Sequence, residues 1–479
     1  MVFNSFIFLG FFIVVFLIYW ILLKNTTKGQ NIFLLLASYV FYGYADWRML
    51  QLLIVATLIF YFLGKGIAIA KSEKQSYWLT TLGVVLGVGT LLYFKYFNFF
   101  VESFTQLFET CGLHTNLHTF NIIMPLGISF FTFRLLSYVI DIYRGKFEPT
   151  KDIIAFGTYI AFFPCLLSGP IDRPTFINQL KTARTFEYDK AVDGCRQILW
   201  GLFKKVVVAE NCATYVDQVW GNIGDSSGST LLLAAILYAF QMYTDFSGYS
   251  DMAIGVGKLL GFNITKNFNY PYFALNIADF WRRWHISLTS WLTDYVFMPL
   301  NIKCRDKGNW GIIFAIVINF VLCGLWHGAN WTFVLWGLYH GLLFVPLILS
   351  GAFFKKTKLR TNKFGLPVAK DFGQMLLTFA LVVFGLIIFR APSIAEAWNY
   401  IIQGCSITLF SMPQFMAGLK LTLFSIAVLL IFDWIHRDKE HALQITNYSI
   451  WFRCGIYYAL VLFLLEYGHH SQSFIYFQF

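Results

Sequence analysis

Apolar residues run along this chain in long stretches that short charged segments interrupt. Met1 to Leu23 contains no Asp, Glu, Lys or Arg, and Asn309 to Phe354 stays uncharged long enough for two membrane crossings at about 20 residues each. Further spans are expected at 31–44, 49–64, 77–94, 121–143, 153–169, 226–244, 310–326, 331–349, 372–389, 421–432 and 451–465. The shorter runs need their flanks to reach across ~30 Å. The pattern predicts an all-α polytopic membrane protein with about 11 transmembrane helices plus re-entrant or interfacial helices. With no polar linker long enough to part domains, 1–479 reads as a single membrane-embedded domain, its C-terminal tail 467–479 extracytoplasmic.

Loop charge gives an orientation. Lys24 and Lys28, then Lys65, Lys71 and Lys74, then Arg144, Lys146 and Lys151 fall on one side of alternating spans, as do the basic stretch from Lys355 to Lys370 and His436 to Lys439. The positive-inside rule makes that side cytoplasmic and places both termini outside. Between Pro170 and Asn301 the count fails, because Lys181, Arg184, Lys190, Lys204 and Lys205 would lie outside if 153–169 crossed fully. Re-entrant segments or surface-lying helices would resolve this, and re-entrant backbone is tolerated only where protein buries it or it lines a wet cavity.

Composition sharpens the class. Charged residues are 13% of the 479 and hydrophobic ones 58%, which excludes a soluble globular fold. The formal charge of +11 orients loops, and no basic arm or motif indicates nucleic acid. Eight scattered cysteines form no C-x-x-C pair, so no metal site or disulfide framework is expected. The first segment lacks a basic n-region and an A-x-A-like cleavage site and reads as a retained helix.

Two stretches carry ionisable chemistry in apolar surroundings: Asp279-Phe-Trp-Arg-Arg-Trp-His285 and Gly324-Leu-Trp-His327-Gly-Ala-Asn-Trp331. His327 sits between two long apolar runs, where an ionisable group is expensive and marks function unless it simply bonds a carbonyl of a neighbouring helix. His285 has the competing reading of an interfacial helix with snorkelling arginines. His340 reads as a packing residue. Tyr243 to Gly255 holds Asp245 and Asp251, six residues apart and so on different helix faces. It reads either as a polar helix end or as a set of partners for Arg282 and Arg283 in buried ion pairs.

These stretches resemble the membrane-bound O-acyltransferase family, in its bacterial alginate O-acetyltransferase-like branch. The resemblance also rests on Ser137-Tyr-Val-Ile-Asp-Ile-Tyr-Arg-Gly145, on Phe163-Pro-Cys-Leu-Leu-Ser-Gly-Pro-Ile-Asp-Arg173, on Phe203-Lys-Lys205, on Asp245 to Gly255 and on Asn267-Phe-Asn-Tyr-Pro-Tyr272. One departure is Asn301-Ile-Lys-Cys-Arg, which follows Leu300 where relatives carry a Gly-Gly loop. The resemblance implies a helical ring around a thinned centre, entered by an acyl donor from the cytoplasm and an acceptor hydroxyl from the opposite face. It aligns His327 with the family's essential histidine and His285 with its second characteristic position.

Acyl transfer from a thioester to an alcohol needs a base, and a neutral imidazole suits that task near pH 7. His327 is expected as that base, with Trp326, Asn330 or Trp331 donating to the oxyanion, and His285, Arg282 and Arg283 orienting the donor or its phosphates. No bound cofactor is expected; the acyl thioester, acetyl-CoA or a carrier-protein thioester, is a co-substrate. The terminal Ser473-Phe-Ile-Tyr476-Phe-Gln-Phe479 is an interfacial anchor or, by resemblance to tails of bacterial cell-envelope acylation systems, a carrier. In the second case Tyr476 takes the acyl group and passes it to an extracytoplasmic acyltransferase partner. The expected function is then a bacterial inner-membrane O-acyltransferase serving an extracellular polysaccharide or peptidoglycan. A secondary transporter and a non-enzymatic export scaffold are the alternatives.

Overall fold

The runs expected at 31–44 and 49–64 are two halves of Thr27–Ala68, joined through Asp46, whose φ of −156° and ψ of 107° are not helical. The Asp46 carboxylate accepts the Arg48 backbone N–H at 2.9 Å and pairs with its guanidinium at 3.2 Å. A short acidic side chain that bonds the backbone two residues on offers the chain a turn in place of the helix ladder.

The computed structural model describes residues 1–113, 119–355, 357–414 and 418–467. Among them every regular element is helical, apart from one isolated bridge between Thr361 and Pro367. Six stretches are long and apolar enough to cross a membrane: Thr27–Ala68, Glu73–Thr110, Arg305–His327, Trp331–Leu349, Ala369–Arg390 and Ile450–Tyr467. The protein is all-α and multi-pass. Other expected spans are shorter helices, such as Ile128–Tyr143 with 16 residues and Leu419–Ile435 with 17.

The described residues form two compact units, Met1–Cys195 with Ala253–Thr265, and Arg196–Met252 with the described part of the chain from Lys266 onward. In the first unit the run at 153–169 does not cross as one helix. Ile153–Ala161 has nine residues, about 14 Å at 1.5 Å each, and breaks at Phe162 before the four-residue turn Phe163–Leu166. Its irregular backbone is buried, and Arg134 of Ile128–Tyr143 satisfies it: Nη1 donates to the carbonyls of Tyr159 and Ile160, and Nη2 to those of Cys165 and Pro170, at 2.9–3.3 Å. The break in this segment is held by one buried guanidinium.

Arg184 in the same unit explains part of the failed charge count. It is buried, donates to Gln30 Oε1 at 3.1 Å and Asn31 Oδ1 at 2.8 Å, and lies over the Phe262 ring. A charge spent inside the protein does not orient a loop.

In the second unit, Gly308–His327 and Trp331–Leu342 form a tight antiparallel hairpin. A Cβ at Gly324 would collide with the backbone carbonyl of Phe333, so only glycine allows this approach. Asn330 closes the turn: its Oδ1 accepts from the Thr332 N–H at 3.0 Å as an N-cap, and its Nδ2 donates to the Pro392 carbonyl at 2.9 Å.

Candidate active site

The Asp245 and Asp251 motif lies inside the 32-residue helix Gly228–Leu259 and is not a helix end. Nor do the ion pairs expected with Arg282 and Arg283 form. Asp251 pairs with Lys204 and accepts from Gln197 Nε2 at 2.8 Å; Asp245 pairs with Lys205 at 2.7 Å, and Lys205 also reaches Glu210 at 3.5 Å. Both lysine side chains are only 5% exposed. They project from the π-helical stretch Phe203–Ala209, whose wider turn presents consecutive lysines to two carboxylates.

The partners meet because Gly201 and Gly248 touch backbone to backbone; a Cβ on Gly248 would come within 2.7 Å of the Gly201 carbonyl oxygen. Arg283 instead pairs with Asp279 one turn away, at 3.1 Å, and Arg282 is exposed. Lys204 and Lys205, counted in the sequence as misplaced loop charges, are thus the counter-ions of the motif.

His327 is the last residue of its helix and is buried, with Gly328 beyond it in extended backbone. Aromatic edges hold its ring: centroids of Trp326, Trp336 and Phe389 lie 5.0, 5.3 and 5.2 Å away in T-shaped contacts. His285 is set quite differently. It occupies the left-handed region, φ 45° and ψ 51°, between the short helices Ile277–Trp281 and Ile286–Leu292. Its ring packs edge-on against Phe246 at 4.6 Å and Trp326 at 5.6 Å, and Nδ1 lies 3.1 Å from Asn267 Oδ1. Trp326 therefore contacts both histidine rings.

A cavity of about 10 Å³, room for about one water-sized group, opens beside His327 and is walled by Trp281, Trp284, Trp336, His340 and Phe389 among others. His340, read from the sequence as a packing residue, is one of its walls. The Trp281 indole N–H donates to His340 Nδ1 at 3.4 Å, which leaves the proton of the neutral ring on Nε2. The spacing of Trp336 and His340, i and i+4 in one helix, puts both on the face toward His327.

The family model for membrane-bound O-acyltransferases matches residues 34–389, a range that includes both histidines, both buried lysine–aspartate pairs and the cavity. The chain belongs to the membrane-bound O-acyltransferase family. It is similar to the probable alginate O-acetylase AlgI of Azotobacter vinelandii, 38% identical over 408 residues, which cover 83% of this chain and 77% of the relative. The peptidoglycan O-acetyltransferase of Helicobacter pylori is 31% identical, covering 83% of this chain and 78% of that one. The teichoic acid D-alanyltransferase of Bacillus subtilis is 32% identical over a shorter stretch, 56% of this chain and 69% of the relative.

As a membrane-bound O-acyltransferase the chain is an acyl-transferring enzyme. Of its expected site residues, the structure brings together His285, Trp326 and His327. It sets others apart: the Asn330 amide is engaged in the helix cap, Trp331 is 53% exposed, Arg282 faces outward, and Asp245 and Asp251 belong to the lysine cluster. Tyr476 and its aromatic neighbours lie outside the described residues. Asn267, Trp281 and Trp336 were given no role in the sequence, and His340 only that of a packing residue. Asn267 opens the quoted Asn267 to Tyr272 stretch, and that was the only signal pointing to it.

Proposed function

We propose that this chain moves an acetyl group from a cytoplasmic thioester, acetyl-CoA or a carrier-protein thioester, across the bacterial inner membrane for O-acylation of an extracellular polysaccharide or peptidoglycan. The observation that carries this reading is the placement of His327, a buried imidazole at the end of a membrane-length helix, beside a small aromatic-walled cavity. The alginate and peptidoglycan O-acetylating relatives support the class of acceptor.

In this reading the acceptor hydroxyl oxygen attacks the thioester carbonyl carbon while His327 takes its proton. As the tetrahedral intermediate collapses, the C–S bond breaks, the ester C–O bond remains, and the proton passes to the departing sulfur. The Trp326 indole N–H, next to His327, is the donor proposed for the oxyanion.

The proposed first acceptor is Tyr476, on a C-terminal tail outside the membrane, as is the N-terminus. A phenyl ester stays transferable, because a phenol of pKa about 10 leaves more readily than an alkyl alcohol. An extracytoplasmic partner protein then passes the acetyl group to the polymer.

Incubation of the purified protein with labelled acetyl-CoA, followed by mass spectrometry, tests donor, acyl group and attachment together. Label is expected on Tyr476. His327→Ala is expected to reduce transfer by about 10² to 10⁴ while expression and membrane assembly persist. Near-normal turnover in an assembled His327→Ala protein removes His327 from the chemistry. Tyr476→Phe keeps the aromatic ring and deletes the hydroxyl; normal polymer acylation in that variant reduces the tail to an anchor.

A further inference from the structure

Asn267 is fully buried and bonds three consecutive residues of the histidine loop. Its backbone carbonyl accepts the Ile286 N–H at 2.8 Å. Its side-chain Oδ1 faces the Ser287 N–H at 3.2 Å, the Ser287 hydroxyl at 2.8 Å and His285 Nδ1 at 3.1 Å. Its Nδ2 donates to Ser250 Oγ at 3.2 Å, tying the loop to the helix of the Asp245 motif. A second backbone bond, Asn269 N–H to the Arg283 carbonyl at 2.9 Å, clamps the approach to the loop.

These contacts settle the proton on His285. A backbone N–H can only donate, so the amide atom facing Ser287 must be the oxygen and not the nitrogen. The same oxygen faces His285 Nδ1, which must therefore carry a hydrogen. The ring is 1% exposed and packed among Phe246, Phe268 and Trp326, apolar surroundings that disfavour the charged imidazolium. In the neutral ring the lone pair is then on Nε2.

We infer that Asn267 is a positioning residue that presents His285 to the substrates as a hydrogen-bond acceptor through Nε2. His285 in this form holds an N–H or O–H group, either an amide N–H of the donor's pantetheine arm or the acceptor hydroxyl. It does not hold a phosphate or an oxyanion, because a lone pair repels both. This narrows the role expected from the sequence, where His285 was grouped with Arg282 and Arg283 as orienting the donor or its phosphates. The left-handed backbone at His285 fits the same design. A non-glycine residue there is strained and persists only where its surroundings over-determine it, which the Asn267 bonds to residues 285, 286 and 287 do.

The substrate assignment rests on the acyltransferase reading; the tautomer does not. The full-length protein labelled with ¹⁵N-histidine and reconstituted in lipid is read by solid-state NMR, with the His285 signals identified by their loss in His285→Asn. At neutral pH the expected pattern is a protonated Nδ1 and an unprotonated Nε2. Asn267→Asp keeps an acceptor at the same place and retains that pattern. Asn267→Ala releases the ring to a mixture of tautomers and lowers turnover by about 10- to 100-fold, the scale typical of a lost orienting partner. A protonated Nε2 in the parent protein, or an unchanged tautomer in Asn267→Ala, overturns the proposal.

Kinetics of His285→Asn with acetyl-CoA and a hydroxyl acceptor then locate the group held. A rise of tenfold or more in the KM for acetyl-CoA places Nε2 on the donor arm. A comparable rise in the acceptor KM, or a fall in kcat alone, places it on the hydroxyl, and no change in any of these overturns the substrate contact. If the tautomer is as expected but neither labelled acetyl-CoA nor a labelled carrier-protein thioester transfers anything to any acceptor, the proposed transfer fails while the Asn267 assignment stands.

Discussion

Two regions of the second unit hold site residues by opposite means. The hairpin Gly308–His327 and Trp331–Leu342 carries no charged side chain from Asn309 onward and is held by shape, with Gly324 against the Phe333 backbone and aromatic edges around His327. The Arg196–Met252 region is held by charge, with Lys204 on Asp251 and Lys205 on Asp245 in nearly full burial. Shape tolerates exchanges of similar volume, whereas a buried ion pair tolerates loss of both charges far better than loss of one. The two regions should therefore fail differently when altered.

The largest expected effect is in the charged region. Lys204→Met leaves Asp251 without its counter-ion and should lower stability by roughly 3–5 kcal/mol, read as a fall in assembled protein and in thermal midpoint in detergent. The double variant Lys204→Met with Asp251→Leu should recover more than half of that loss. A double variant no better than the single one would show that the pair is not held as charge.

Gly324→Ala tests the shape-held region. Its methyl would strike the Phe333 carbonyl, so the hairpin must part, at a cost of about 1–3 kcal/mol for overpacking. Because His327 is three residues on, acyl transfer in the folded fraction should fall as well. Unchanged turnover per folded molecule would mean that His327 is positioned independently of the hairpin contact. The smallest effect expected is that of Asn330→Ala, which removes a helix cap and should cost about 1 kcal/mol, with Asn330→Asp restoring most of it. A loss of transfer without loss of stability in Asn330→Ala would return Asn330 to the reacting centre.

The same contrast explains what was readable in the sequence. Continuous apolar length announces a helix whatever it packs on, so the run at 310–326 appears as Gly308–His327 and that at 372–389 as Ala369–Arg390. Charge inside the protein carries no such mark: Arg184, Lys204 and Lys205 look identical to loop lysines and arginines until their partners, Asn31, Asp251 and Asp245, are brought close by folding. Arg282 and Arg283 were the nearer choice in the sequence for the two aspartates, but Arg283 is engaged one turn away by Asp279.

At the site itself, His285 and His327 stood out because imidazoles are rare in apolar runs. Asn267, 18 residues before His285, could not be linked to it, since irregular backbone has no period from which a contact can be read. His340 packs as expected, against Trp281 and Trp336, but its place on the cavity wall was not readable for a related reason. It lies in a regular helix, and only the arrangement of Trp281, Trp336 and His327 around it shows that it faces the cavity.

The grip of Arg134 on the 159–170 backbone has a consequence for biogenesis. Four carbonyls of a broken segment have no partner in lipid, so that segment cannot settle in a bilayer by itself. Chain order answers the difficulty, because the guanidinium leaves the ribosome 25 residues ahead of Tyr159, the first residue whose carbonyl it will donate to. Insertion of the broken segment thus depends on a helix already made, and a lysine at position 134, with one compact ammonium in place of a planar fork, would leave part of that backbone exposed during synthesis.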